Sequence, residues 1–270
     1  MNAYDIIALI EDTAPLNGAA AWDRSGVQIA GQKHDVRKLA ALIDPVPDGI
    51  ADALDWGADM ILTHHPLYIE PRALDKPGDF LDVARMVLAQ GAWLYAAHTS
   101  LDAQPEGPAG WLARSLKLTR VRVLEQTGAP GENVGLGFIG DLPAPVAWPD
   151  FAASLAEHVQ RDFWTISGDP PESIRNTAYC TGSGGSLAPA AKSAGADVYV
   201  TGDLKYHQVL GAGIFLIDVG HFSLEEEMIR LFAQDLASRL SPQGVAVKFF
   251  KGADPFKVHL PPKGLASQGS

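Results

Sequence analysis

Histidines and carboxylates of this chain stand together directly after short apolar segments. Three clusters of this kind occur: His64 with His65, His98 with Asp102, and His221 with Glu225. Imidazole and carboxylate ligands together suit Zn, Mn, Fe, Co or Ni. Two such ions can share a water molecule and lower its pKa, which produces a nucleophile near neutral pH. These residue types therefore indicate a hydrolytic metal centre.

Each cluster alone has an ordinary explanation. Polar pairs four residues apart are common on solvated helix faces, and Glu225 could simply be favoured by the dipole in the first turn of a helix. Adjacent side chains of a strand point to opposite faces, so His64 and His65 can share a site only if the chain turns there. Pro66 favours such a turn.

An internal repeat links the clusters. GADMILT at 57–63 matches GADVYVT at 195–201, and HTSLD at 98–102 matches HFSLE at 221–225 in the same order. Matched segments in the same order predict a duplicated α/β unit. Ligands bind beyond the carboxyl ends of strands in open α/β sheets. We therefore expect the two halves to bring together His64, His65, Asp102, His221 and Glu225, with His98 close by.

The elements that position these residues alternate between short β-rich runs and amphipathic helices, which predicts an α/β fold with mixed or parallel sheets. The predicted strands are Lys38–Asp44, Asp59–Thr63, Trp93–Ala97, Val121–Leu124, Val134–Gly140, Asn176–Cys180, Val198–Thr201, Phe215–Asp218 and Val245–Phe250. The predicted helices are Asp5–Asp12, one within Pro45–Trp56, Phe80–Gln90, Pro108–Leu116, Asp150–Arg161, Leu187–Ser193 and Leu224–Ala237.

Two units are expected from this pattern. The first comprises residues 1–125 with 240–270, the second comprises residues 126–239, and the metal site lies between them. The polar tail from Pro261 to Ser270 is expected to be loose.

A glycine-rich loop, Thr181–Ser186, lies between a predicted strand and a predicted helix. The backbone N–H groups of Ser183, Gly184 and Gly185 could form a nest for an anion. A plain turn explains the loop equally well, because the loop lacks the Gly-Lys-Ser/Thr ending of a P-loop. Cys180 has no identifiable base and is expected to be a buried small hydrophobic residue.

Two further polar segments allow a structural and a functional interpretation. In Thr201–His207, Asp203 could cap a helix, and Lys205 and His207 could be solvated or could line the cleft as substrate-binding groups or a general acid. Trp22–Gln28 is loop-like, and its polar side chains could face the cleft or only shape a turn.

Composition excludes several classes of function. The 270 residues include 21 Lys and Arg, 32 Asp and Glu, and one Cys, so the net charge is −11. One Cys excludes an intramolecular disulfide framework and a cysteine zinc finger. The acidic balance argues against nucleic-acid binding and against anionic membranes as partners. The sequence shows neither an export signal nor a run long enough to cross a bilayer, so we expect a cytoplasmic location.

Several blocks resemble the Nif-three-like dinuclear-metal family, whose members are often described as type-2 GTP cyclohydrolase I homologues. The blocks are WDRSGVQIAG at 22–31, THHPLY at 63–68, AHTSLD at 97–102, TGDLKYHQ at 201–208 and DVGHFSLE at 218–225. The resemblance extends from about Ile6 to Phe250, and the chain is similar to the short form, without an inserted domain between Val123 and Glu172. Departures at Arg24, Phe222 and Ser223 do not affect the expected ligands.

The resemblance implies two intertwined α/β halves and a ring-shaped homohexamer whose metal centres face an internal cavity. It implies two divalent ions per chain held by His64, His65, Asp102, His221 and Glu225, with Glu225 bridging and His98 nearby.

The implied reaction is a GTP cyclohydrolase-like opening of the purine ring, in which a metal-bound hydroxide attacks C8. Ser183, Gly184 and Gly185 could then hold phosphates, and His98, Lys205 and His207 are candidates for proton transfer. The alternative of another class is a metal-binding scaffold, or a protein that interacts with a regulator, without catalysis. A phosphoesterase acting on oligonucleotides is disfavoured by the acidic composition.

Overall fold

Two mixed β-sheets form the framework of the computed structural model, which describes residues 1–259. The strands are β1 (Gly26–Ile29), β2 (Lys38–Leu42), β3 (Met60–Thr63), β4 (Trp93–Ala96), β5 (Thr119–Gln126), β6 (Gly135–Val146), β7 (Thr165–Ser167), β8 (Ile174–Tyr179), β9 (Val198–Thr201), β10 (Phe215–Asp218) and β11 (Ala246–Phe249). The first sheet has the order β1-β4-β3-β2-β11 and the second has the order β5-β6-β8-β9-β10-β7. The predicted α/β fold with mixed sheets is confirmed.

Helices connect the strands and cover the sheets. They are α1 (Ala3–Thr13), α2 (Pro47–Asp55), α3 (Asp79–Gln90), α4 (Thr99–Asp102), α5 (Trp111–Ser115), α6 (Trp148–His158), α7 (Ala188–Ser193), α8 (Tyr206–Val209) and α9 (His221–Leu240). Short 3₁₀ turns occur at Leu16–Gly18, Pro108–Gly110, Gly185–Leu187 and Ser241–Gln243. Within residues 1–259, no helix combines the length and the apolar character that crossing a membrane requires.

A single core holds the two sheets together. Its buried side chains come from the first sheet, such as Tyr95, from the second sheet, such as Tyr179, and from α9, such as Phe232. Helix α9 also packs against β2 and β11. Because α9 begins directly after β10 of the second sheet, it carries its first residues to the junction between the sheets.

The sequence repeat corresponds to a structural repeat. In both sheets three parallel strands follow one another, β2-β3-β4 in the first and β8-β9-β10 in the second. The glycine that opens each GAD motif follows the end of a helix. Its φ is positive, 88° at Gly57 and 85° at Gly195. A glycine adopts this left-handed conformation without the steric cost that a β-carbon would impose.

The aspartate of each GAD motif joins neighbouring parallel strands. Its Oδ2 atom accepts two backbone N–H hydrogen bonds at the beginning of the preceding strand. The donors are Arg37 (2.9 Å) and Lys38 (3.2 Å) for Asp59, and Arg175 (2.8 Å) and Asn176 (2.7 Å) for Asp197. The repeat therefore encodes a helix ending and a strand alignment.

Several elements differ from the predictions or were not predicted, among them β1, β7 and the beginning of α9. The polar segment Trp22–Gln28 contains the beginning of β1, an edge strand that pairs antiparallel with β4 through an irregular register. The strand β7 pairs with β10 and has no apolar pattern of its own, since Thr165 and Ile166 are exposed. Helix α9 begins at His221, three residues before the predicted Leu224.

The sheets also bear on the predicted units. Strand β5 spans the expected boundary after residue 125 and pairs with β6 in the second sheet, whereas β11 returns to the first sheet beside β2. The division into residues 1–125 with 240–270 and 126–239 stays a prediction. The expectation for the tail Pro261–Ser270 lies outside the described residues.

Candidate metal centre

The clustered histidines and carboxylates meet at the carboxyl ends of three strands. His64 and His65 follow β3, His98 follows β4 and begins the turn into α4, and His221 opens α9 three residues after β10. This is the edge at which α/β sheets bind ligands.

The chain turns out of β3 at the two adjacent histidines. The backbone N–H groups of both His64 and His65 donate to the carbonyl of Ile43, at 3.1 Å and 2.9 Å. The Thr63 hydroxyl donates to the His65 carbonyl at 2.8 Å and closes the turn. The two imidazole rings consequently lie on the same side, with centroids 4.9 Å apart.

Hydrogen-bond partners of the Nδ1 atoms orient three imidazoles so that their Nε2 atoms face the Glu225 carboxylate. His64 Nδ1 donates to the Ala97 carbonyl at 2.8 Å, His65 Nδ1 to Asp44 at 2.6 Å, and His221 Nδ1 to Asp203 at 2.8 Å. A proton on Nδ1 leaves the Nε2 lone pair of a neutral imidazole free for a metal ion. The Nε2 atoms of His65 and His221 face each other at 3.1 Å.

Glu225 lies between two groups of ligands. Its Oε2 is 3.1 Å from His65 Nε2 and 2.7 Å from His221 Nε2, while its Oε1 is 3.3 Å from His64 Nε2. Asp102, held by a 2.7 Å hydrogen bond from the Thr181 hydroxyl, approaches His64 Nε2 at 3.6 Å.

The potential ligand atoms of the described residues form three groups of three, and two of these triads share one carboxylate. His65, His221 and Glu225 form the outer triad, and His64, Asp102 and Glu225 form the inner triad, with ligand atoms within 4.8 Å of one another in each. His65 and His221 are partly exposed, whereas the inner triad is buried. Only the outer triad therefore has an open side.

The arrangement fits divalent cations. His64 Nε2 and Glu225 Oε2 are buried, and neither makes a hydrogen bond within the described residues. Buried polar atoms without a partner are costly, and the Glu225 carboxylate among three imidazoles needs a positive charge beside it, which protonated imidazoles or a bound cation can supply. A cation with nitrogen and oxygen ligands would satisfy all of these atoms.

The electrostatics of the centre indicate the same need for positive charge. Burial alone lowers the pKa of His65, but the Asp44 and Glu225 carboxylates outweigh burial and raise this pKa to about 10. Burial also lowers the pKa of His221, but the Glu225 and Asp203 carboxylates outweigh burial and raise this pKa to about 9. At Glu225 burial raises the pKa, but His64 and the other imidazoles hold it well below its usual range. Burial raises the pKa of Asp102.

His98 lies beside the triads. Its Nδ1 pairs with Asp23 at 2.6 Å, and it can offer a ligand atom within 4.8 Å of those of His64 and His65. The hydroxyls of Ser25 and Thr99 both donate to the same Asp23 carboxylate at 2.6 Å. Burial raises the pKa of Asp23, but the neighbouring His98 and these hydrogen bonds hold it well below its usual value.

The glycine-rich loop packs against the centre. A side chain at Gly182 would collide with the Glu225 carboxylate, so only glycine allows this close approach. The Gly184 N–H donates to the Thr201 hydroxyl at 2.9 Å, which commits one of the three amides predicted to meet an anion. Ser183 is exposed, and Gly185 is buried. The anion site stays a prediction, and Cys180 is buried, as expected.

Lys205 and His207 lie further from the ligands. Both are exposed around α8, and within residues 1–259 no hydrogen bond or ion pair joins them to the triads. Their neighbour Asp203 is the residue of this segment that reaches the centre, because it orients His221. Their role in proton transfer stays a prediction.

A cavity of about 200 Å³ opens beside the outer triad. It is lined by Ile43, Asp44, His65, Asp203, His221, Phe222, Asp254, Pro255 and Phe256. Sequence reasoning missed Asp44 and Phe256. Asp44 stands two residues after β2, as His65 stands two residues after β3, and this strand-end position is the available signal. Phe256 carries no local signal.

The fold and the centre define a class: α/β proteins of two mixed sheets with a candidate metal centre of histidines and carboxylates at the strand ends. Residues 1–255 match the family model described as Duf34/NIF3 (NGG1p interacting factor 3), and the chain belongs to this family. The resemblance predicted from the sequence blocks is confirmed.

Relatives and solved structures agree over nearly the whole chain. A Streptomyces coelicolor protein named GTP cyclohydrolase 1 type 2 homolog is 30% identical over 240 residues, covering 86% of this chain and 84% of the relative. Reduced HcgD from Methanocaldococcus jannaschii has a TM-score of 0.79 at 26% identity, covering 92% of this chain and 97% of that one. A Bacillus cereus protein related to NIF3 has a TM-score of 0.84 at 21% identity, covering 96% and 99%, and shows the same fold.

Proposed function

We propose that this protein is a dinuclear metal-dependent hydrolase that acts on a nucleotide-like small molecule. The observation that carries the proposal is the position of Glu225, whose two carboxylate oxygens face the outer and the inner triad. Two ions held in this way would share one carboxylate. Bound ions supply Lewis acidity and lower the pKa of a water molecule, which is the chemistry that hydrolysis needs.

The residues of the chain have separate tasks in this proposal. His64, His65, Asp102, His221 and Glu225 hold two divalent ions of the group Zn, Mn, Fe, Co and Ni. Asp44, Asp203 and the Ala97 carbonyl keep the Nδ1 protons in place, so that Nε2 is the ligand atom.

The side on which a substrate enters follows from burial. The inner triad is closed to solvent, whereas the partly exposed His65 and His221 border the cavity. His98, oriented by Asp23, is the proton-transfer candidate next to the ligands.

Relatives support a nucleotide-like substrate. Several of them carry the name GTP cyclohydrolase 1 type 2 homolog, among them the proteins from Streptomyces coelicolor and Clostridium perfringens. We extend to this chain the implied reaction, a hydrolytic opening of the purine ring of GTP.

Turnover of GTP by protein loaded with Zn, Mn, Fe, Co or Ni tests this proposal, with formate release and loss of purine absorbance as readouts. His98→Ala should lower kcat while the metal content stays unchanged. His34→Ala serves as the matched control, since His34 lies outside the centre. No turnover with any of these metals would reject the hydrolase and favour the second candidate, a metal-binding scaffold. The wholly buried His64 favours that candidate, because an ion held there is closed to substrate.

Assembly and location are part of the same proposal. We expect a homohexameric ring, which light scattering coupled to size-exclusion chromatography would test. The cytoplasmic location also stays a prediction, to be checked by cell fractionation.

A further inference from the structure

An exposed aromatic ring lies at the open side of the metal centre. Phe256 leaves 64% of its surface exposed. With Phe222 and Pro255 it lines the cavity that His65 and His221 also line. Exposed aromatic side chains beside a cleft are typical of binding surfaces, because an aromatic face offers a large contact area to a flat ligand.

The segment that carries Phe256, residues 252–256, is here called the strap. Hydrogen bonds and an ion pair fix it in place. The Gly252 N–H donates to Glu226 at 2.7 Å, and the Phe256 N–H donates to Asp254 at 2.9 Å. Arg161, with 10% of its side chain exposed, pairs with Asp254 at 3.4 Å and approaches Asp218 at 3.8 Å. The strap is thus tied to α9 and to the end of β10.

Charge and size limit what the cavity can hold. Three aspartates line it, Asp44, Asp203 and Asp254, and neither Lys nor Arg belongs to its described lining. Each of the three is already paired with a basic side chain, His65, His221 or Arg161, so the lining offers no Lys or Arg that is free to bind a phosphate group. Its volume of about 200 Å³ is below the range of roughly 300–1,000 Å³ that is usual for pockets that hold whole drug-sized ligands. A single ring system fits these limits better than a nucleoside triphosphate.

We propose that this cavity binds an uncharged planar heteroaromatic ring of nucleobase size, that Phe256 of the strap provides an aromatic contact for that ring, and that any phosphate groups of the ligand remain outside. The inference rests on the proposed function in one respect, namely that the cavity is the substrate side of the metal centre. It adds the chemical class of the bound group and a specificity residue outside the ligand set.

Equilibrium binding to the full-length protein tests the inference. The probes are guanosine, adenosine, cytidine and nicotinamide as uncharged ring compounds, together with GTP and tripolyphosphate. Chelator-treated protein is used, so that phosphates cannot bind through an ion. We expect at least one ring compound to bind, GTP to bind no more tightly than guanosine, and tripolyphosphate to bind at least tenfold more weakly than the best ring compound.

Variants at Phe256 and at the nearby Val258 distinguish the cavity from the rest of the chain. Phe256→Ala should weaken binding of the best ring compound about tenfold, and Phe256→Tyr should retain it. Val258→Ala is the matched control, since Val258 is exposed two residues further on and does not line this cavity. The inference is overturned if none of the four ring compounds binds at millimolar concentration, if tripolyphosphate binds as tightly as GTP, or if Phe256→Ala binds like the unmodified protein.

Failure of the inference can be distinguished from failure of the proposed function. Ring binding that Phe256→Ala weakens, without turnover under any metal, supports the cavity and rejects the hydrolase. Turnover of GTP with an unchanged kcat/KM in Phe256→Ala supports the hydrolase and rejects the cavity.

Discussion

At the scale of residues, the centre depends on side chains that are not ligands themselves. Asp44 orients His65, Asp203 orients His221, and Asp23 orients His98, each through Nδ1. That these histidines lie together could be predicted, because they stand in a repeated pattern after apolar strands. Asp44 was missed, because its position after a strand is the only signal and a solvated turn residue can stand there as well.

Asp44→Asn is expected to weaken metal binding, because an amide is a weaker acceptor and no longer fixes the His65 tautomer. Loss of a carboxylate partner of this kind usually costs about 10–100-fold in metal affinity. Competition with a chromophoric chelator measures the change. Asp48→Asn is the control, since Asp48 lies on α2, outside the centre. Equal affinities of the two variants would contradict the role given to Asp44.

Metal affinity is expected to depend on pH. The neighbouring carboxylates raise the pKa values of His65 and His221 to about 10 and about 9, so both imidazoles are protonated at neutral pH. An ion must displace these protons. Affinity should therefore rise with pH up to about 9–10 and then level off, once the competition of the chelator for protons is corrected. A dissociation constant unchanged between pH 6 and pH 9 would contradict this linkage.

At the scale of elements, the repeat is explained by two positions that the GAD motif encodes. Its glycine ends a helix and its aspartate aligns two parallel strands. The parallel strands could be predicted because their apolar runs are continuous and buried. Strands β1 and β7 were not predicted, because neither short segment has a continuous apolar run and each is defined by its antiparallel pairing, with β4 and with β10.

Asp59→Ala is expected to destabilise the fold by about 1–3 kcal/mol, because two backbone N–H groups lose their acceptor. Urea unfolding measures the loss, and Asp52→Ala on the exposed side of α2 is the control. Burial raises the pKa of Asp59, but the backbone N–H of Arg37 and the ammonium of Lys33 lower it overall. The stabilising effect is therefore complete above the unfolded pKa of roughly 3.9 and is lost as the pH falls through the folded value. No difference between the variants at pH 7 would contradict the alignment role.

At the scale of the whole molecule, the centre lies where the two sheets share a core. The outer triad combines His65 from the first sheet with His221 and Glu225 from α9, which follows the second. The convergence of the two halves could be predicted from the repeat. The position of the strap could not be predicted, because tertiary contacts hold it in place and such contacts leave no periodic pattern in the sequence. Two of the carboxylates that contribute to the net charge of −11, Asp102 and Glu225, face the proposed ions.

Metal binding is expected to stabilise the whole chain, because ligands from both halves must be in place together. At a free ion concentration 100 times Kd, the gain is about 2.7 kcal/mol. Thermal unfolding with and without the ion measures it, with one transition expected for both halves. Glu225→Gln should show a much smaller shift. A transition insensitive to every divalent ion would contradict the metal centre.

The most direct measurement is the metal content per chain by elemental analysis, compared between the unmodified protein and Glu225→Gln. Glu227→Gln is the control, because Glu227 pairs with Arg230 on the same helix. We expect about two divalent ions per chain in the unmodified protein and in the control, and loss of both when Glu225 no longer joins the triads. A folded Glu225→Gln protein that keeps two ions, or an unmodified protein that binds none in the presence of excess Zn or Mn, would contradict it.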